Sequence, residues 1–122
     1  MFEDQENKTV SIDFDGVIHK CSKGFYDGTV YDDPVEGSLE AIKKLNKKYT
    51  IVIFTAKAKA ERPLINNKTG KELVCDWLDK HGYSPYISDV TAEKPRSFIY
   101  IDDRGYRFKD WENTLKFLEN ND

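Results

Sequence analysis

Apolar residues recur along this chain in two rhythms, one of strands and one of helices. Thr9–Phe14 (TVSIDF) alternates and is rich in β-branched residues, which predicts a first strand. Residues 16–33 carry Gly, Tyr and Asp without a helical period and are expected to fold back as a small hairpin-like flap. From Pro34 onward, Leu39, Ile42 and Leu45 recur at helical spacing with lysines opposite them, which predicts a helix. Tyr49–Ala56 (YTIVIFTA) is almost continuously apolar, as suits a strand buried on both faces of a parallel sheet. Residues 57–68 form a polar, basic loop that contains Pro63. A second helix is predicted from Thr69 to His81, with Leu73, Val74, Trp77 and Leu78 inward and Gly82 as a left-handed cap. Tyr86–Val90 and Ser97–Asp102 read as strands, and Asp110 is a good N-cap for a last helix carrying Trp111, Leu115 and Leu118.

Strand and helix therefore alternate, which predicts an α/β fold with a mostly parallel sheet and helices on both faces. At 122 residues the chain fits one domain, residues 1–122. In such Rossmann-like sheets the ligand site lies beyond the carboxyl ends of the strands. Asp13 and Asp15 end the first strand, Thr55 and Ala56 the second, and Asp102 and Asp103 the strand SFIYID. Lys94 stands just before that last strand. The candidate chemistry gathers on one rim.

Composition narrows the classes of function. Charged residues make up 34% of the chain but nearly balance, at a net charge of −3, so extensive binding along nucleic acid is disfavoured. The longest apolar runs are far short of a membrane span, and the N-terminus (MFEDQENKTV) lacks the basic and apolar regions of a signal peptide. Cys21 and Cys75 have no metal-type spacing and are expected as reduced thiols in a cytoplasmic protein, a disulfide between them being the alternative.

Carboxylates crowded on one edge repel each other unless a cation joins them. An all-oxygen donor set suits a hard ion, Mg²⁺ above all. Such a site beside a lysine and a hydroxyl suits a phosphoryl group, whose transfer depends mainly on positioning and electrostatics. One aspartate can attack phosphorus, and a second can carry the proton.

The motifs DFDGV, IVIFTA, EKP and YIDDRG, in that order, resemble those of the haloacid dehalogenase-like (HAD) phosphohydrolases, most closely the small capless members. The resemblance spans Asp13 to Asp103. It implies Asp13 as nucleophile and metal ligand. It implies Asp15 as general acid/base, offering its backbone carbonyl to the metal. It implies that Thr55, with Ala56 beside it, holds the phosphoryl group, and that Lys94 neutralises charge. Of the last pair, Asp103 would be the direct metal ligand and Asp102 its outer partner. The substrate implied is a small phosphorylated metabolite, a sugar phosphate or a nucleotide, in an open site that a second copy of the chain or a large substrate would cover. A polynucleotide-end phosphatase and a receiver-like phospho-signalling module are the alternatives.

Plainer readings stand beside these. Asp15–Gly16 is a common turn signal, Thr55 can cap a turn, and Lys94 can be a solvated loop lysine. Asp102 and Asp103 end a buried strand and need a cation or a cap in either case. His19 either helps bind substrate or stands in solvent, the latter favoured, and His81 is expected at a helix C-terminus, where positive charge is favoured. Trp77 and Trp111 are expected in the core. Lys57, Lys59, Arg62 and Lys68, with Arg104 and Arg107, either bind a second anionic group or form a solvated mixed-charge surface, the latter favoured. Lys57 stands where many relatives have Arg. Phe25, Tyr26 and Tyr31 either stack on a ligand or pack the flap down.

Overall fold

The computed structural model describes residues 8–24, 27–93, 99–102 and 106–121, with the backbone alone at Ile99, Asp102, Tyr106, Arg107 and Asn121. Its strands are β1 (Thr9–Asp13), β2 (Thr50–Phe54), β3 (Asp89–Thr91), β4 (Ile99–Asp102) and β5 (Tyr106–Arg107). Its helices are α1 (Ser38–Asn46), α2 (Gly70–Lys80) and α3 (Trp111–Asn121). The strands lie in the order β3-β2-β1-β4-β5, every pair parallel. The α/β fold with a parallel sheet is as expected, and no cap domain interrupts the described residues.

The register explains the core. Val10 pairs with Ile51, and Ile12 with both Ile53 and Ile101, so these side chains share one face. All five are fully buried. They form one cluster with Ile42 and Leu45 of α1, Val74, Trp77 and Leu78 of α2, and Trp111 and Leu118 of α3. The described helices thus cover a single face, which corrects the expectation of helices on both. The physical reason is chain length: residues 92–98 alone join β3 to β4, fewer than the roughly dozen that a helical crossover needs. The other face presents Ser11, Val52, Phe54 and Tyr100, with the Phe54 and Tyr100 rings edge to face.

Local chemistry sets the element ends. Thr69 caps α2 through a reciprocal capping box with Glu72, and Gly82 (φ 85°) closes the helix with Tyr83 N–H donating to Leu78 O. Asp110 accepts from Asn113 N–H at the start of α3. α1 begins four residues later than Pro34, because Val35 N–H donates to Ile18 O and ties this stretch to the flap. Ser84–Tyr86 is a single 3-10 turn containing Pro85, which shortens the strand expected over 86–90 to Asp89–Thr91. Cys21 and Cys75 are both free thiols, so the alternative disulfide is not formed. No described helix is long and apolar enough to cross a membrane.

Candidate active site

Parallel pairing puts the carboxyl ends of all strands on one rim. Asp13 is the last residue of β1, opposite Phe54, and the Ile12–Ile101 pairing makes Asp13 and Asp102 the next residues in line on adjacent strands. Thr55 and Ala56 follow directly from β2. These predicted residues therefore share one edge. The side chain of Asp102, and Lys94 and Asp103 as whole residues, lie outside what is described, as do Phe25, Tyr26 and Arg104.

Asp15 sits in the turn that leaves β1. Gly16 takes φ 85°, Phe14 O accepts from Ile18 and His19 N–H, and Gly16 N–H donates to His19 O. The turn reading of Asp-Gly is correct, and the turn has a consequence: it brings His19 back onto Asp15. His19 Nδ1 lies 2.9 Å from Asp15 Oδ1, and Lys57 Nζ 2.9 Å from Asp15 Oδ2. Both carboxylate oxygens meet a nitrogen donor.

His19 is fully buried, not solvated as expected. Its ring stacks on Phe14 and meets Trp77 and Tyr31 edge on. Its other nitrogen, Nε2, is 2.9 Å from the backbone N–H of Asp32. An amide N–H can only donate, so Nε2 accepts and the ring proton sits on Nδ1, facing Asp15. Lys57 also corrects the reading of residues 57–68 as a solvated surface, since its side chain is 1% exposed. Lys59 and Lys68 do face solvent, Lys68 beside Asp76. For both Lys57 and His19 the sequence favours solvent over ligand binding. The four-residue spacing of Asp15 and His19 and the place of Lys57 three residues past a buried strand are the signals that point to the site.

Burial raises the pKa of Asp15, but hydrogen bonds from His19 and Lys57 and the charge of Lys57 outweigh it, so the group is held below the ordinary carboxylate range. Thr55 is buried and accepts from Lys57 N–H at 3.2 Å, capping the 3-10 turn Ala56–Ala58. That bond leaves the hydroxyl hydrogen for a second partner. As the first residue of the turn, Ala56 has an N–H with no partner inside it. Its carbonyl fixes Arg62, whose Nε donates to it at 2.9 Å.

Two sets of groups could hold a metal. Asp15, His19 and Cys21 bring ligand atoms within 4.8 Å of one another. Yet both His19 nitrogens are engaged, and the Cys21 thiol donates to Gly24 O while burial pushes its pKa up, which keeps it a thiol. The other set is the aspartates that end β1 and β4, whose oxygen donors are of the type a hard cation takes.

The flap closes over this turn. His19 pairs with Pro34, and Lys20 N–H donates to Asp33 O, so one short antiparallel bridge replaces the expected hairpin. Tyr31 packs the flap down: its hydroxyl donates to Gly24 O and accepts from Lys23 N–H. Asp32 accepts from the Ser22 side chain and backbone, which holds its pKa at about 2. Because that value lies below the unfolded one, the anchoring is present above about pH 4 and is lost as pH falls toward about 2. Acid is therefore expected to free the Ser22 amide for hydrogen exchange in that window. Asp32→Asn should remove the pH dependence. An amide equally protected at both ends of the window would show that Asp32 does not anchor the flap.

His81 stands at the C-terminus of α2 as expected. Its ring centroid lies 4.4 Å from that of Trp77, and burial, followed by the Lys80 charge, lowers its pKa, so positive charge is not favoured there. Trp77 and Trp111 are in the core as expected. No protein family, characterised protein or solved structure matches this chain.

Proposed function

We propose that this protein is a Mg²⁺-dependent phosphomonoester hydrolase working through an aspartyl-phosphate. One observation carries the reading. Where the strand order reverses, the neighbouring strands β1 and β4 both end in aspartate, at the crevice where open α/β sheets take their ligands. The motif order similar to the haloacid dehalogenase-like family supports it. The strand order also disfavours the receiver alternative, whose first strand lies between the second and third.

Asp13 would attack phosphorus, forming an O–P bond as the ester oxygen leaves. Thr55 and the Ala56 N–H would hold phosphoryl oxygens. Mg²⁺, held by Asp13, the Asp15 carbonyl and the Asp102–Asp103 pair, would offset their charge. Asp15 is a carboxylate in the free protein, the form that takes a proton from water as the aspartyl-phosphate is hydrolysed. To protonate a leaving oxygen it must first gain a proton from solvent or from the incoming ester. Lys94 would neutralise the phosphoryl group.

The test is release of inorganic phosphate from a panel of phosphate esters with Mg²⁺ or with EDTA. Release is expected only with the metal, and Asp13→Asn should lower it by at least about a thousandfold. Turnover that survives both EDTA and the substitution would overturn the mechanism.

A further inference from the structure

A cavity of about 290 Å³ lies beside the candidate rim, walled by Asp27 of the flap, Arg62, Pro63 and Ile65 of the basic loop, and Lys57 and Gly70. Lys57 joins it to the rim, because the same residue that borders the cavity donates to Asp15. Resting on the phosphatase reading, we propose that this cavity receives the leaving group of the substrate, and that this group is a single nucleoside.

Size and lining both support that class. The volume is at the lower end for small-molecule pockets, roughly 300–1,000 Å³, which suits one ring system and not a nucleic-acid strand. Pro63, Ile65 and Gly70 make its walls mostly apolar, with Asp27 and Arg62 as the polar groups beside Lys57. A hexose would bury several hydroxyls against apolar walls, each costly without a partner. A base instead offers two apolar faces and a polar edge. The two polar walls are fixed in place: Asp27 accepts from Thr29 N–H at 3.0 Å and from its hydroxyl, and Arg62 donates to Ala56 O. A carboxylate can accept from amino or imino groups on the base edge, and a guanidinium can donate to its carbonyls or stack on its face.

The experiment measures kcat and KM with Mg²⁺ for a nucleoside monophosphate, a hexose phosphate and glycerol phosphate. Equilibrium dialysis of the free nucleoside against the full chain runs in parallel. The nucleotide is expected to have the lowest KM. Ile65→Trp, which fills the cavity, should raise that KM by about tenfold, the size of one lost apolar contact set, and leave the glycerol phosphate constants unchanged. If Ile65→Trp does not fold, the exposed variant Asp27→Asn carries the same comparison, and Ile65→Phe fills the cavity in part. Nucleoside retained in dialysis by the wild type and lost in the variants supports the subsite even if no ester is cleaved, an outcome that would overturn only the phosphatase reading. Phosphate release with no preference for the nucleotide, or a KM that Ile65→Trp does not move, would overturn the subsite and leave the hydrolase standing.

Discussion

Trp77→Ala is expected to lower the unfolding free energy by about 3–5 kcal/mol, the range for removing a buried large aromatic. The residue is 6% exposed and touches the turn after β1, the flap and the segment that follows α2. Its indole lies edge on to Phe14 and His19 and stacks on Tyr83, with centroids 5.3, 5.6 and 5.6 Å away. Its N–H donates to Asp32 O at 3.0 Å. Tyr83 continues the chain of contacts to Ser38 at the start of α1. Truncation leaves a cavity and an unpaired carbonyl together, and the collapse that could fill the cavity would pull His19 from Asp15. The melting temperature should fall by on the order of 15 °C. Trp77→Phe should cost less, because a six-membered ring stays in the core and the loss is limited to the five-membered part of the indole with its N–H. A loss below about 1 kcal/mol for Trp77→Ala in denaturant titration would show that the surroundings close without it.

Gly70→Ala sets two physical effects against each other. At an ordinary helix position the change stabilises by about 1 kcal/mol. Here the new Cβ would stand 1.6 Å from Lys57 O and 2.7 Å from Lys57 C. Both are backbone atoms, so no rotamer change relieves the overlap. Either the first turn of α2 or the turn Ala56–Ala58 must move. Sterics should win, with a loss of about 3 kcal/mol, the upper end of the overpacking range. Because the Lys57 backbone is displaced, its ammonium should also leave Asp15. Thermal melting decides the sign: a variant more stable than the parent would mean that α2 shifts freely and that the close approach is incidental.

The fold was legible where one local signal dominated. β2 is apolar after Thr50, and α2 has both a capping box and a terminal glycine, so the sequence places each within a residue or two. β5 was missed because its two residues cannot show a period. α1 was started too early because Pro34 looks like a helix opener, whereas tertiary bonds to Ile18 claim its neighbourhood. The rim residues Asp13, Asp15, Thr55, Ala56 and Asp102 could be read because strand ends are predictable and parallel pairing aligns them. Lys57 and His19 carry weaker signals. Lys57 and Lys59 look alike in sequence, yet one is buried and the other exposed. Nearness to the end of β2 is the one local difference between them, and the position of Asp15 in three dimensions is what gives the buried ammonium its partner. His19 reads as polar, and its burial depends on the aromatic rings of Phe14, Tyr31 and Trp77, which come from distant parts of the chain.

The strand order has a bearing on how the site ages under thermal motion. β1 is the middle strand, hydrogen-bonded on one side to β2 and on the other to β4, while the short β3 and β5 take the borders. Fluctuations that open a sheet begin at its borders, where ladders are short and one side is unpaired. Asp13 therefore rides on the segment that opens last. Partial openings can admit and release molecules at the periphery while the Asp13 carboxylate keeps its place, so the candidate rim should outlast much of the local order around it.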